Sequence, residues 1–174
     1  MPMSRAFVKE MDETAGDEMP ERPQSPHPNY VTQRGLVLLR RQLAELQAEH
    51  HRLAESDDLL DKEQVKRIDR DIRYYEARID SAVPIDPASQ PADQVGFGAV
   101  VRTVDDNDVE RSFAIVGEDE ADPAAGRIAY VAPLAQALMG ARVGDHVIWR
   151  RPIGDLGLEI LALDHPHHAD EDKS

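Results

Sequence analysis

Cysteine is absent from this chain of 174 residues, so neither a disulfide nor a thiolate enters its fold or its chemistry. Positive charge is short: 20 lysines and arginines stand against 34 acidic residues, a net charge of −14. That balance argues against general affinity for a phosphate backbone, where a basic face is expected, and it confines any nucleic-acid contact to a local patch. Long apolar runs are missing, since none approaches the roughly 18 residues of a membrane span, and residues 1–29 lack the apolar core of a signal peptide. No membrane partner and a cytoplasmic location are the expectation. Aromatics make up 5% of the chain, and its C-terminal half has only Phe97, Phe113, Tyr130 and Trp149 to line an aromatic pocket.

What is present divides the chain by composition and period. Residues 1–29 carry Pro2, Pro20, Pro23, Pro26 and Pro28 among acids and read as a disordered arm, with Ala6, Phe7 and Val8 as its one apolar anchor. From residue 30 to 82, Leu36, Leu39, Leu43, Leu46 and Leu53 recur three and four apart, and Val65, Ile68, Ile72, Tyr75 and Ile79 do the same. This spacing predicts two helices with narrow apolar seams. Thr32 is the candidate N-cap of the first, and Ser56-Asp57-Asp58 supplies a turn and a cap for the second. Each seam is too short for a long coiled coil. An antiparallel helical hairpin within one monomer buries both, with an intermolecular coiled coil as the alternative.

Val83-Pro84-Ile85-Asp86-Pro87 ends the second helix and opens a linker over residues 83–94. Residues 95–164 switch to short strands, near 98–104, 111–116, 127–131, 146–150 and 158–163. Asp105 to Asp108 suits a hairpin turn, and Gly140 and Gly144 suit backbone of positive φ. Pro133 opens a short helix through Met139 whose Leu134, Ala137 and Leu138 face the sheet. Residues 165–174 form a charged tail. The fold class is therefore α+β, an N-terminal helical hairpin followed by a small sheet domain with one short helix.

Several clusters invite a chemical reading. Glu118, Asp119, Glu120 and Asp122 resemble a hard-cation site, although carboxylates between a strand and a Pro-Gly loop more often form turns. His165, His167 and His168 resemble a metal tract but sit in a tail without fixed geometry. Neither is taken as a metal site, and no catalytic residue is assigned.

Val95-Gly-Phe-Gly-Ala-Val100, Ile115-Val-Gly-Glu-Asp-Glu-Ala-Asp-Pro123, Pro133-Leu-Ala-Gln-Ala-Leu-Met-Gly140 and Val143-Gly-Asp145 follow one another in fixed order. The series resembles the C-terminal domain of the GreA/GreB transcription elongation factors, and the likeness extends over roughly residues 30–163. It implies an FKBP-like antiparallel sheet domain that docks at the rim of the RNA polymerase secondary channel while the hairpin enters. Residues implied in docking are Pro133, Leu134, Met139, Glu118, Asp119 and Asp122. One departure is Ala132, where the family usually has serine; losing that cap costs on the order of 1 kcal/mol.

In cleavage-stimulating members, an Asp and a Glu at the hairpin tip help hold the second Mg²⁺ of the polymerase active centre. The segment that carries them, similar to Gly-Asp-Leu-Ser-Glu-Asn-Ala-Glu-Tyr, is missing here, while the second helix resumes at Lys66-Arg67-Ile68. About fifteen residues are lost, which shortens the hairpin by roughly 10 Å at about 1.5 Å per residue. Mg²⁺ coordination needs oxygens at about 2.1 Å, so the tip is expected to stop short of the metal. The tip is nonetheless acidic, with Glu55, Asp57, Asp58, Asp61 and Glu63, and indirect contact with the Mg²⁺ stays open. On the second helix Lys62, Lys66, Arg67, Arg70 and Arg73 correspond loosely to a basic patch that contacts the RNA 3′ end. Interleaved Glu63, Asp69 and Asp71 give surface pairing as the other account. DNA is contacted only through the transcription complex.

Three functional classes follow: a factor that occupies the channel without stimulating cleavage, resembling the short-hairpin Rnk relatives; a cleavage factor using Asp57 and Asp58; and a prolyl isomerase, suggested by the FKBP-like fold alone. The first is preferred, with no cofactor of its own.

Overall fold

The computed structural model describes residues 19–166. Helices α1 (Gln33–Leu53) and α2 (Leu59–Asp80) form an antiparallel hairpin within one chain, joined by residues 54–58. Thr32 caps α1 by accepting from the Gly35 amide at 2.9 Å, and Asp58 caps α2 by accepting from the Leu60 amide at 2.7 Å, which satisfies amides that a helix start otherwise leaves open. Leu36, Leu39, Leu53 and Ile68 are buried in the seam. Leu43, Leu46, Val65, Ile72, Tyr75 and Ile79 are half-buried, because two helices cover only one side of each other. Across the seam His50 Nε2 lies 3.0 Å from Asp69 Oδ1.

Residues 83–94 are more than a linker. Strand β2 (Val83–Pro84) pairs in parallel with β1 (Tyr30–Val31), so the two ends of the hairpin are stitched together at its base. There Val31, Leu36 and Leu39 form a small core against Tyr75, Ile79 and Ala82. A one-turn helix at Pro87–Ser89, capped by Asp86, follows.

The second unit is a five-stranded sheet in the order β5-β4-β3-β7-β6, formed by β3 (Val100–Asp105), β4 (Glu110–Val116), β5 (Arg127–Ala129), β6 (His146–Trp149) and β7 (Leu156–Asp164). The antiparallel expectation holds for three of its pairings, but β5 runs parallel to β4, so the sheet is mixed. A crossing loop over residues 117–126 permits this: it leaves β4 at its end and carries the chain back to start β5 beside Ala114, running in the same direction, which a tight hairpin turn cannot do. A bulge between Arg102 and Thr103 adds local twist. Helix α3 (Pro133–Leu138) lays Leu134, Ala135 and Leu138 on the sheet. They close a core with Val101, Phe113, Ile115, Ile128, Leu158 and Ile160. As expected, Gly140 and Gly144 have positive φ, at 81° and 90°. Ala132 gives α3 no side-chain cap.

The arm differs from the sequence reading. Residues 1–18, with Ala6, Phe7 and Val8, lie outside the described residues. From Glu21 to Asn29, however, the chain is laid along α2, and Asn29 is buried at the hairpin base. Two arm contacts replace the missing apolar ones: an arginine stacked on tyrosine and a bidentate ion pair.

Candidate functional site

A turn of acidic residues joins the helical hairpin to the globular unit. After β4 the chain makes a single helical turn at Glu118–Glu120, which faces the hairpin base. Glu120 has a side chain only 4% exposed. It accepts from Thr32 Oγ1 at 2.5 Å and from Arg34 Nη1 at 3.2 Å. Thr32 thus uses its hydroxyl twice, donating to Glu120 while accepting from the α1 amide. Asp119 accepts from Arg78 Nε at 2.6 Å and from the Tyr74 hydroxyl at 2.8 Å. Arg78, with its side chain 3% exposed, also donates to Asn29 Oδ1 at 2.8 Å, and Asn29 Nδ2 donates back to the Arg78 carbonyl at 2.7 Å. Burial and the Asp119 hydrogen bond push the Tyr74 phenol up to about 12, since both disfavour its anion.

Apolar contacts back this polar lock. Tyr30, Phe97 and Tyr130 form a three-ring cluster with centroids 5.3 to 6.1 Å apart, and the Tyr130 hydroxyl donates to the Pro28 carbonyl at 2.6 Å. Gly117 and Gly35 let the parts approach. A Cβ on Gly117 meets the Tyr30 carbonyl oxygen closer than any real contact allows, and one on Gly35 lies 2.8 Å from Glu120 Oε2.

At the far end of the hairpin, Glu55, Asp57 and Asp58 are exposed and Asp61 is half-buried. Asp58 is committed to capping α2. The tip also displays Leu59 and Leu60, 78% and 79% exposed, which the sequence reading passed over. Among the described residues, no group of three or more His, Cys, Asp or Glu side chains is arranged to hold a metal ion.

The globular unit has an apolar depression of about 420 Å³ lined by Phe113, Pro123, Ile128, Pro133, Leu134 and Trp149 among others. The four aromatics of the C-terminal half do not share one pocket. Phe113 and Trp149 line the depression, while Phe97 and Tyr130 pack against the hairpin base.

The family model for the C-terminal domain of the GreA/GreB transcription elongation factors matches residues 90–165. Transcription elongation factor GreB of Neisseria meningitidis serogroup B is 41% identical over 110 residues, which cover 63% of this chain and 68% of that protein. GreB of Yersinia pestis is 31% identical over 150 residues, covering 78% of this chain and 88% of that protein. The chain belongs to the GreA/GreB family. It is accordingly a transcription elongation factor of that family, whose members act on RNA polymerase. Among solved structures, the GreA factor homolog 1 (Gfh1) protein of Thermus thermophilus aligns over 79% of this chain and 99% of that one, at 25% identity and a TM-score of 0.38.

Within this family frame, the residues expected at the docking surface separate. Pro133 and Met139 are exposed, whereas Leu134 is buried between α3 and the sheet and lines the depression. Asp119 is engaged by Arg78 and Tyr74, with its side chain 16% exposed although its main chain is open. Asp122 pairs with Arg127 at 3.2 Å, and Glu118 is half-buried beside Tyr130. Three of the basic residues of α2 are engaged as well: Lys66 lies 3.3 Å from Glu63, Arg70 3.1 Å from Asp71, and Arg73 2.6 Å from Glu21. Sequence reasoning missed Asn29, Arg78 and Glu120 as a set. The one available signal was Arg78 itself, a charged residue beside the apolar seam position Ile79, where burial demands an acid.

Proposed function

We propose that this factor enters the RNA polymerase secondary channel with its hairpin and alters elongation or initiation without efficient stimulation of transcript cleavage. The observation that carries the reading is the length of the rod. Helices of 21 and 22 residues span about 32 Å each at about 1.5 Å per residue, and they meet in a five-residue turn, 54–58, that lacks the acidic segment of cleavage-stimulating members. The match to the Yersinia pestis protein supports the deletion. It runs over 150 positions but takes up 78% of this chain, about 136 residues, so some 14 positions pass without a counterpart.

Binding is two-point. Exposed Pro133 and Met139, beside the apolar depression, face the channel rim, and the rod enters at the angle set by Glu120, Asp119 and Arg78. At the tip, Leu59 and Leu60 offer apolar contact and Glu55 and Asp57 repel phosphates. A tip that stops about 10 Å short cannot place an oxygen at the roughly 2.1 Å that Mg²⁺ requires. The factor itself has no catalytic role.

The test is competition for polymerase. The protein is titrated against a labelled cleavage-competent GreA/GreB factor bound to RNA polymerase, and displacement is the expected result. Simultaneous binding of both factors, or no binding of this one, defeats the reading. The second reading, cleavage supported by the tip acids, has in its favour that the Asp57 carboxylate is exposed and has no hydrogen-bond or ion-pair partner among the described residues.

A further inference from the structure

Among the described residues β6 is an edge strand, closing the sheet order and pairing with β7 alone. Its bonding to β7 fixes which of its own groups are free. The Ile160 amide donates to the Asp145 carbonyl at 3.0 Å, and along an antiparallel pair such bonded positions alternate with unbonded ones. With Val147 opposite Leu158 and Ile148 opposite Gly157, Val147 and Trp149 turn their main-chain groups to β7, whereas His146 and Ile148 turn theirs outward. An open edge of this kind is a template for another strand. Natural edges are blunted by lysine, proline or a bulge, and His146-Val147-Ile148-Trp149 has none of these. It carries the reverse: Ile148 is 57% exposed, and Val143 and Ile153, each five positions from it in the chain, are 57% and 84% exposed.

We propose that β6 pairs antiparallel with β6 of a second copy of this chain, about a two-fold axis at Ile148, and so joins two sheets into one. The argument is self-complementarity, which a two-fold interface demands. An axis perpendicular to the sheet keeps the faces of the two copies aligned, so the strand must meet itself in a register that pairs residues of like face. Centring it on Ile148 satisfies three conditions together. Outward main-chain groups meet outward ones, since Ile148 exchanges both hydrogen bonds with Ile148 of the second copy and His146 does so with Arg150. The exposed apolar side chains meet as well, Ile148 against Ile148 and Val143 toward Ile153. Asp145 stands opposite Arg151, an opposite-charge pair on each side of the axis. A net charge of −14 opposes association, but residues 142–159 balance Arg142, Arg150 and Arg151 against Asp145, Asp155 and Glu159, so the meeting segment itself carries no net charge. A strand of 4 residues makes a small interface, and the pairing is accordingly weak and concentration-dependent.

The test uses the full chain without polymerase, so its outcome is independent of the channel reading. Sedimentation equilibrium is run across roughly 1 µM to 1 mM, and a reversible monomer–dimer equilibrium is the expected result. Ile148→Lys should weaken it by about tenfold or more, because it sets like charges directly opposite each other. Val37→Lys, at an exposed position of α1, should leave it unchanged. The absence of cysteine gives a second readout. In the proposed register the two Ile148 Cα atoms lie about 5.5 Å apart, inside the range that a disulfide spans, so Ile148→Cys should give a covalent dimer under mild oxidation. The two His146 positions are offset by roughly 13 Å along the strands, so His146→Cys alone should not crosslink, whereas a mixture of His146→Cys with Arg150→Cys should. Each variant is checked for unchanged far-ultraviolet circular dichroism. A parent chain that stays monomeric over the whole range overturns the proposal. So does a dimer indifferent to Ile148→Lys, which belongs to another surface, or equal crosslinking by Ile148→Cys and His146→Cys.

Discussion

Replacing Arg78 with methionine tests whether the acidic turn fixes the hairpin to the globular unit. Methionine keeps most of the stem volume and removes the donors to Asp119 and Asn29, which lie at 2.6 and 2.8 Å. Each hydrogen bond to a charged group contributes about 1.5–3 kcal/mol. Asp119 keeps the Tyr74 hydroxyl and some water, whereas the Asn29 carbonyl oxygen stays buried and loses its donor. The cost is therefore about 3 kcal/mol, near the lower end for breaking a buried pair, and for a chain of this size it lowers Tm by about 6–12 °C. The loss falls on the joint, so the two units should also uncouple. Far-ultraviolet circular dichroism follows chiefly the hairpin, and fluorescence of Trp149, the one tryptophan, follows the sheet domain. The two melting curves should coincide in the parent and separate in the variant, with the helical transition lower. Lysine at the same position should not restore coincidence, because an ammonium cannot reproduce the forked geometry. Coincident curves within about 2 °C of the parent, under a degree-scale cost per kcal/mol, would refute the lock.

Gly117→Ala should separate the same two transitions from the other side of the joint, since the added Cβ drives into the Tyr30 carbonyl; Gly140→Ala, with nothing within 4 Å of its Cβ, should lower stability only through its positive φ and leave the curves together. Raising pH should loosen the joint late. The Tyr74 phenol is more easily kept neutral in the folded state, so its contribution is complete below the ordinary value near 10 and is lost as pH rises through about 12. Spectrophotometric titration should show Tyr74 ionising in that upper range, and Tyr74→Phe should remove its contribution there. At the tip, Asp58→Ala should cost about 1 kcal/mol by uncapping α2, read as a lower helical melting point, while Asp57→Ala should cost nothing measurable.

Both helices, their caps and the five strands were legible in the sequence because each rests on short-range signals. The seams recur at helical spacing, Thr32 and Asp58 stand where helix starts need acceptors, and Gly140 and Gly144 mark left-handed backbone. The parallel β4–β5 pairing was not legible, since it depends on how the loop 117–126 crosses over and not on the composition of either strand. The lock was hidden for a similar reason. Thr32 and Glu120 are 88 residues apart, and each has a sufficient local explanation, one as a cap and the other as a turn former. Residues 21–29 were read as disordered because they offer little apolar surface, yet an arginine–tyrosine stack and an arginine–glutamate pair hold them on α2. That same docking pairs Arg73 with Glu21, 52 residues away, where the sequence offered only RNA contact or pairing within α2.

The short, acidic tip and the fixed rod angle converge on one claim, that the factor reaches into the polymerase without reaching its metal. The direct measurement is a backtracked elongation complex with Mg²⁺, to which the protein is added alone and together with a cleavage-competent GreA/GreB factor, following release of short 3′ RNA fragments. The account predicts no release with the protein alone and suppression of release by the competent factor. Fragment release by the protein alone, lost in the Asp57→Ala and Asp58→Ala double variant while its fold persists, would contradict it and place the tip at the active centre.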